Sequence, residues 1–184
     1  MTFQTDKYRI EIFDDISFAS DSSDNVNDYD LIHFDKSEYS YPSVYGIKVF
    51  DDKRLLKSAL IGSIGGGTSI HNSSAVIEDD RVVICCADTI FCLSIPSLEL
   101  LWRCQGDDAT CFEIFKHEDS YIVHGELEIS RIDRNGNMMW QRSGADIFTT
   151  PEGLDSFIIT KDYILATDWE YRKYKFNFDG QLLG

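Results

Sequence analysis

Short runs of apolar residues recur along this chain about every eight to twelve residues, with polar or acidic residues between them. Most of the runs are rich in β-branched and aromatic side chains, as in VVICC, YIVHG and YILAT. No long stretch places apolar residues at the three- and four-residue spacing of an amphipathic helix. The pattern therefore predicts an all-β protein built from short strands.

Three segments of the chain share one layout, which indicates an internal repeat. Each begins with a short apolar strand and an acidic turn, and continues with a second apolar strand and a polar break. A third strand, a tight turn and a fourth strand follow. The segments are residues 75–103, 112–142 and 156–184. This order of elements predicts one four-stranded antiparallel sheet for each segment.

Two features recur at matching positions in these segments. The tight turns contain Pro96-Ser97, Asn135-Gly136 and Asp179-Gly180, and the last two pairs supply the positive φ angles that a two-residue hairpin needs. The fourth strands carry, at equivalent places, Trp102, Trp140 and Leu183. Because the tryptophans recur, we expect them to pack between neighbouring sheets.

A weaker copy lies upstream and is interrupted by Pro42, with YGIKVF and RLLK standing for its last two strands. Ahead of it, residues 7–13 (KYRIEIF) alternate between polar and apolar side chains, which predicts one more strand. We therefore expect a single domain over residues 1–184. Its predicted parts are the strand 7–13, an acidic loop at 14–30, and units at about 30–59, 73–103, 111–142 and 156–184.

The repeat resembles that of the quinoprotein-like (PQQ-type) β-propeller family. The matching words are DDRVVICC, TIFCLS and LELLWR in one copy, and EDSYIVHG, EISRID and NGNMMWQR in the next. The last copy reads KDYILATD and YKFNFDGQLL. The resemblance implies a β-propeller-like array of about four antiparallel four-stranded units. It implies no cofactor here, because this small chain lacks the recognisable ligand set of the family's quinone enzymes.

Two arrangements of the units stay open at this point. A closed propeller needs at least about four blades, and residues 7–13 could complete one by pairing with the last unit. The alternative is an open, curved row of sheets. Either arrangement would bury apolar faces that a single unit cannot hide.

Net charge narrows the classes of partner. The charge is −15, with 32 acidic and 17 basic residues among 184, which argues against direct binding to nucleic acid. It suits a basic protein partner, although a merely solvated surface gives the same number. The five cysteines follow no metal-binding pattern, which predicts reduced thiols in a cytoplasmic protein. The chain also contains no signal-like or membrane-spanning run, so we expect that it does not enter a membrane.

Two places are candidates for contact with a partner. The first is the acidic loop, with carboxylates at Asp14, Asp15, Asp21, Asp24, Asp28 and Asp30. The second is a turn that breaks the repeat with Trp169 and Tyr171 among charged residues. The competing structural explanations are a solvated loop and a turn that folds back on its sheet.

We expect no catalytic residues and no metal ligands, because neither a Gly-x-Ser-x-Gly nor a Cys–His signature is present, and His124 in a strand suits a core or edge position. The predicted function is a non-catalytic protein-binding module. Its sharper form is an acidic immunity protein that inhibits a basic, nuclease-type bacterial toxin domain. The alternatives are a propeller scaffold or adaptor, and a propeller that binds a small molecule or acts as an enzyme.

Overall fold

The structure is a computed structural model and describes residues 1–19, 22–34, 41–153 and 156–183. These residues form seventeen strands in four sheets and contain no helix. The predicted all-β class is therefore confirmed. Nor does this part of the chain hold a helix that is long and apolar enough to cross a membrane.

The first sheet has five strands in the order β1-β2-β4-β5-β3. Its strands are β1 (Thr2–Gln4), β2 (Arg9–Asp14), β3 (Leu31–His33), β4 (Ser43–Asp51) and β5 (Arg54–Ser63). All pairs are antiparallel except β3 with β5, so this sheet departs from the four-stranded layout of the repeat.

The predicted N-terminal strand is present as β2, but its partner is β4 and not the last unit. In this register Ile10 pairs with Val49 and Ile12 pairs with Ile47, and all four side chains are fully buried. Burying one such side chain contributes about 1.5–3 kcal/mol. Closure of a propeller through strand 7–13 and the last unit is therefore wrong.

The other three sheets follow the repeat, and each contains four consecutive antiparallel strands. The second sheet contains β6 (Ala75–Ile77), β7 (Arg81–Cys86), β8 (Thr89–Ser94) and β9 (Leu100–Gln105). The third contains β10 (Cys111–His117), β11 (Ser120–Gly125), β12 (Glu128–Asp133) and β13 (Met138–Ser143). The fourth contains β14 (Phe157–Ile159), β15 (Ile164–Thr167), β16 (Lys173–Phe176) and β17 (Leu182–Leu183).

Hairpin turns form where the sequence predicts them. Gly136 and Gly180 have positive φ angles of 84° and 74°, but the residues before them do not, so the predicted two-residue turns are wrong. Each turn is a three-residue loop with the glycine at its last position. The turn after Pro96 is different, since it is Leu98 that carries the positive φ, at 54°.

Successive side chains along a strand point to opposite faces of its sheet, and neighbouring sheets pack face to face. On β7, Val82 and Ile84 belong to a core cluster with the first sheet, whereas Val83 and Cys85 belong to a cluster with the third. A further cluster joins the third sheet to the fourth. None of the three clusters found among the described residues combines the first sheet with the fourth, so the described core connects the sheets as an open row.

Tryptophan side chains join consecutive sheets. The indole Nε1–H of Trp102 donates to the carbonyl oxygen of Arg134 at 3.0 Å, and that of Trp140 donates to Phe178 at 2.9 Å. Each indole lies on a glycine of the next sheet. A Cβ atom on Gly136 would meet Trp102 Cδ2 at 2.6 Å, and one on Gly180 would meet Trp140 at 2.6 Å. The expected role of the tryptophans between sheets is confirmed.

Candidate functional site

The loops that connect consecutive sheets lie beside the turns between the second and third strands of each sheet. Both lie along one side of the row, where the strands end. Consecutive antiparallel strands place both kinds of connection at the same end of each sheet. Backbone hydrogen bonds tie them together: Gly106 N–H donates to Asp88 at 2.9 Å, and Phe148 N–H donates to Glu126 at 2.7 Å. We call this end the loop face. It comprises the loops 64–74, 106–110 and 144–153 and the turns 87–88, 126–127 and 168–172.

An exposed aromatic turn lies on the loop face of the fourth sheet, where β15 connects to β16. Trp169 is 44% exposed and Tyr171 is 55% exposed. Trp169 N–H donates to the carbonyl oxygen of Ile147 at 3.0 Å, and the Tyr171 hydroxyl donates to both carboxylate oxygens of Glu152, at 2.8 and 2.7 Å. The turn is therefore fixed to the neighbouring loop while its rings face solvent.

Asp168 holds this turn from below and is fully buried. Its Oδ1 accepts the backbone N–H groups of Glu170 and Arg172, at 3.0 and 2.9 Å. Its Oδ2 accepts Arg172 Nε at 2.7 Å and the Tyr174 hydroxyl at 2.9 Å. Burial alone would raise the pKa of Asp168, but the bonds from Arg172 and Tyr174 lower the pKa below its ordinary value. The carboxylate stays ionised and rigidly bonded.

A groove lies beside the aromatic turn and encloses about 350 Å³. It lies where β10 and β14 begin, and the loop 144–153 separates it from Trp169. We call it the inner groove. Its lining includes His71, Phe112, Glu113, His124, Ser156 and Phe157.

An imidazole–carboxylate pair forms one wall of the inner groove. His124 Nδ1 lies 2.9 Å from Glu113 Oε2, and Nε2 lies 2.7 Å from the carbonyl oxygen of Phe148. Both ring nitrogens of His124 are therefore within hydrogen-bond distance of an oxygen atom of the protein. Its ring also stacks on Phe157, with centroids 4.6 Å apart. The pair ties the third sheet to the loop that leads into the fourth.

The pKa of Glu113 reflects this pair. Burial would raise the pKa, but the hydrogen bond and charge of His124, with a further contribution from His71, lower it below its ordinary value of 4.5.

The predicted acidic loop is a cap on the outer face of the first sheet. We call residues 15–19 and 22–30 the N-terminal cap. The Tyr29 hydroxyl approaches Gly46 of β4, and Lys48 Nζ donates to Asn27 Oδ1 at 2.7 Å. Tyr29 also packs edge-on against Phe18, with centroids 5.6 Å apart.

Two of the predicted carboxylates anchor the cap. Asp15 is buried and accepts the Tyr29 hydroxyl at 2.5 Å and Asn27 Nδ2 at 3.1 Å. Asp30 accepts the backbone N–H of Ser58 at 2.8 Å and its hydroxyl at 3.0 Å, and these bonds lower the pKa of Asp30.

The remaining predicted carboxylates differ in placement. Asp14, Asp24 and Asp28 are exposed, and Asp21 lies outside the described residues. The structure does not bring the two predicted contact regions together, because the cap lies on the first sheet and the aromatic turn on the fourth. Sequence reasoning missed the inner groove and its Glu113–His124 pair.

Comparison with known proteins supports the fold and no more. No protein-family model and no curated protein matches the chain. The computationally designed Ika8 protein aligns at 14% identity with a TM-score of 0.54, and BamB from Moraxella catarrhalis aligns at 18% with a TM-score of 0.51. In both cases the alignment covers 77% of this chain and 45% of the other, so it spans less than half of those proteins. The chain has a β-propeller-type fold of stacked four-stranded antiparallel sheets.

Proposed function

We propose that this protein is a non-catalytic protein-binding module whose main contact is the aromatic turn. One observation carries the proposal: Trp169 and Tyr171 are about half exposed on a turn that buried Asp168 holds rigid. Tryptophan and tyrosine dominate the energetics of protein interfaces. A rigid turn also loses little conformational entropy when it binds.

The partner that this surface suits best is a basic protein. Glu152 and Glu170 flank the aromatic rings and are exposed, and the whole chain carries a net charge of −15. Such a field speeds the encounter with a cationic surface and disfavours nucleic acid. A basic, nuclease-type toxin domain is the particular partner in this proposal, which would make the protein its inhibitor.

Non-catalytic binding is also the role that suits the inner groove. Both ring nitrogens of His124 already contact oxygen atoms of the protein, so proton exchange with a substrate would have to break one of these contacts. The five cysteines are free, which supports the proposed cytoplasmic location.

Affinity capture from the native host tests the proposal. The baits are the wild-type protein, Trp169→Ala and, as a matched control, Met139→Ala, which removes a side chain that is 52% exposed on β13. We expect one basic protein to be retained by the wild type and by Met139→Ala. Its affinity for Trp169→Ala should fall at least about tenfold, as for an interface hot spot.

Other outcomes would identify other functions. Retention of the same proteins by all three baits would contradict a role for the aromatic turn. Several unrelated partners would indicate an adaptor. If the captured protein is a toxin, co-expression of the wild type should restore the growth of cells that produce the toxin, and co-expression of Trp169→Ala should not. Equal growth with both would overturn the inhibitor proposal.

A further inference from the structure

The two ends of the sheet row are covered differently. On the first sheet, the N-terminal cap lies over the outer face of β4. On the fourth sheet, the inner face packs in the core cluster with the third sheet, but the opposite face contributes no residue to any core cluster of the described chain. That opposite face is therefore uncovered in the described structure.

An apolar row crosses this uncovered face, which we call the end face. In the strand register Ile158 pairs with Leu165, Leu165 with Lys175, and Lys175 with Leu183, so these side chains share one face. Ile158 is 42% exposed and Leu183 is 37% exposed. Lys173 lies on the same face of β16. The described strand residues of the end face therefore combine aliphatic groups with two lysines and no carboxylate.

In the strand ladder Leu183 pairs with Lys175, as Trp140 pairs with Arg131 in the third sheet. Trp102 and Trp140 each reach onto a glycine turn of the next sheet. At Leu183 the corresponding side chain has no further sheet beside it in the described structure. Leu183 is accordingly 37% exposed, whereas Trp140 is 8% exposed.

The N-terminal cap has the complementary character. Asp24 and Asp28 are exposed on it, and Asp14 is exposed beside it. Ile16 and Val26 project from the cap with exposures of 64% and 88%. Large branched side chains at such exposure are unusual on a charged surface. Apolar groups surrounded by carboxylates match apolar groups accompanied by lysines.

We propose that the end face binds the N-terminal cap of a second copy of this chain. The contact is head-to-tail, so two copies form a closed pair if both contacts can be made at once, and longer rows otherwise. The four strands of this sheet have two to four residues each and cover roughly 200 Å², against about 800 Å² per partner in a stable interface. The association is therefore weak, dependent on concentration and sensitive to salt. It does not involve the aromatic turn, so it stands or falls independently of the proposed function.

Reversing the charges on either of the two surfaces tests this contact in the full chain. The end-face variant carries Lys173→Glu and Lys175→Glu, and the cap variant carries Asp24→Lys and Asp28→Lys. A control carries Glu99→Lys and Asp119→Lys, two exposed acids on turns away from both surfaces, and matches the net charge of the cap variant. Sedimentation velocity at low salt, from about 5 to about 500 µM, measures the average mass of each.

We expect the mass of the wild type and of the control to rise with concentration. Each of the other variants alone should remain monomeric, because its two surfaces then carry like charges. An equimolar mixture of the end-face and cap variants should associate again, because both contacts are then attractive; this recovery also excludes misfolding. A monomeric wild type over the whole range would overturn the proposal. So would association that the cap variant retains, since that result would indicate pairing between two end faces.

Discussion

A single residue, Gly136, provides a contact between the third sheet and the second. Its φ angle is positive, and the space where a side chain would lie is filled by the indole of Trp102. Gly136→Ala therefore adds a steric clash to backbone strain, and we expect it to lower the free energy of unfolding by about 2–4 kcal/mol. Chemical denaturation measures this loss.

Gly153 provides the matched control for this substitution. It also has a positive φ angle, of 65°, but no atom lies within 4 Å of its Cβ position. Gly153→Ala should cost only the strain of the left-handed conformation, about 1–2 kcal/mol. Equal losses in the two variants would show that the contact with Trp102 does not matter.

Single residues also show what the sequence could and could not predict. Asn135-Gly136 and Asp179-Gly180 predicted their turns because only a few residues tolerate positive φ. Trp102 and Trp140 predicted packing between sheets because they recur. By contrast, Asp15 and Asp30 look like their acidic neighbours in sequence. Only the positions of Tyr29 and Ser58 in the fold distinguish these two anchors from the other carboxylates of the loop.

The hairpin of β10 and β11 carries an acid-sensitive contact at the scale of the element. Glu113 has its pKa lowered below 4.5 in the folded protein, so the folded state favours its ionised form. The sign follows from linkage: this stabilisation is complete above about pH 4.5 and is lost as the pH falls through the lower folded pKa.

The variant Glu113→Gln isolates this contribution. We expect the wild type to lose stability more steeply than the variant between about pH 5 and pH 3, as measured by urea unfolding across that range. The two proteins should differ most at neutral pH, where the wild type is more stable. Parallel pH profiles would contradict a stabilising bond from His124 to the Glu113 carboxylate.

The N-terminal cap is the second element with a measurable role. Tyr29→Ala removes the side chain that approaches Gly46 and bonds Asp15, and we expect a loss of about 2–4 kcal/mol, the range for a large side chain in a packed contact. Val26→Ala, in the same cap but 88% exposed, should change stability by less than about 0.5 kcal/mol.

Hydrogen exchange locates the effect of the cap substitution. Amides of β4 and β5 should exchange faster in Tyr29→Ala and at the wild-type rate in Val26→Ala. Unchanged exchange in both would show that the loop does not cover the first sheet.

Elements differ in how far local sequence could predict them. The acidic turn at Glu118-Asp119 sets the register of the β10–β11 hairpin, and that register places Glu113 opposite His124. The inner-groove pair was therefore predictable from the turn. The first sheet was not, because β2 joins β4 across a long connection and β3 adds a parallel strand, and neither pairing leaves a short-range pattern.

At the scale of the whole molecule, the repeat predicted the last three sheets and their stacking, but neither the first sheet nor the two outer surfaces of the row. A repeat describes what each unit shares with its neighbours. The N-terminal cap, the end face and the aromatic turn are the places where this chain departs from its own repeat, and all three proposed contact surfaces lie there.

Calorimetric titration with the captured partner measures how much the aromatic turn contributes to binding. Wild type, Trp169→Ala and Met139→Ala are compared at about 50 mM and about 300 mM salt. We expect Trp169→Ala to weaken binding at least about tenfold at both salt concentrations and Met139→Ala to match the wild type. Added salt should weaken binding by all three. Binding by Trp169→Ala that equals the wild type, with no dependence on salt, would contradict the proposed function.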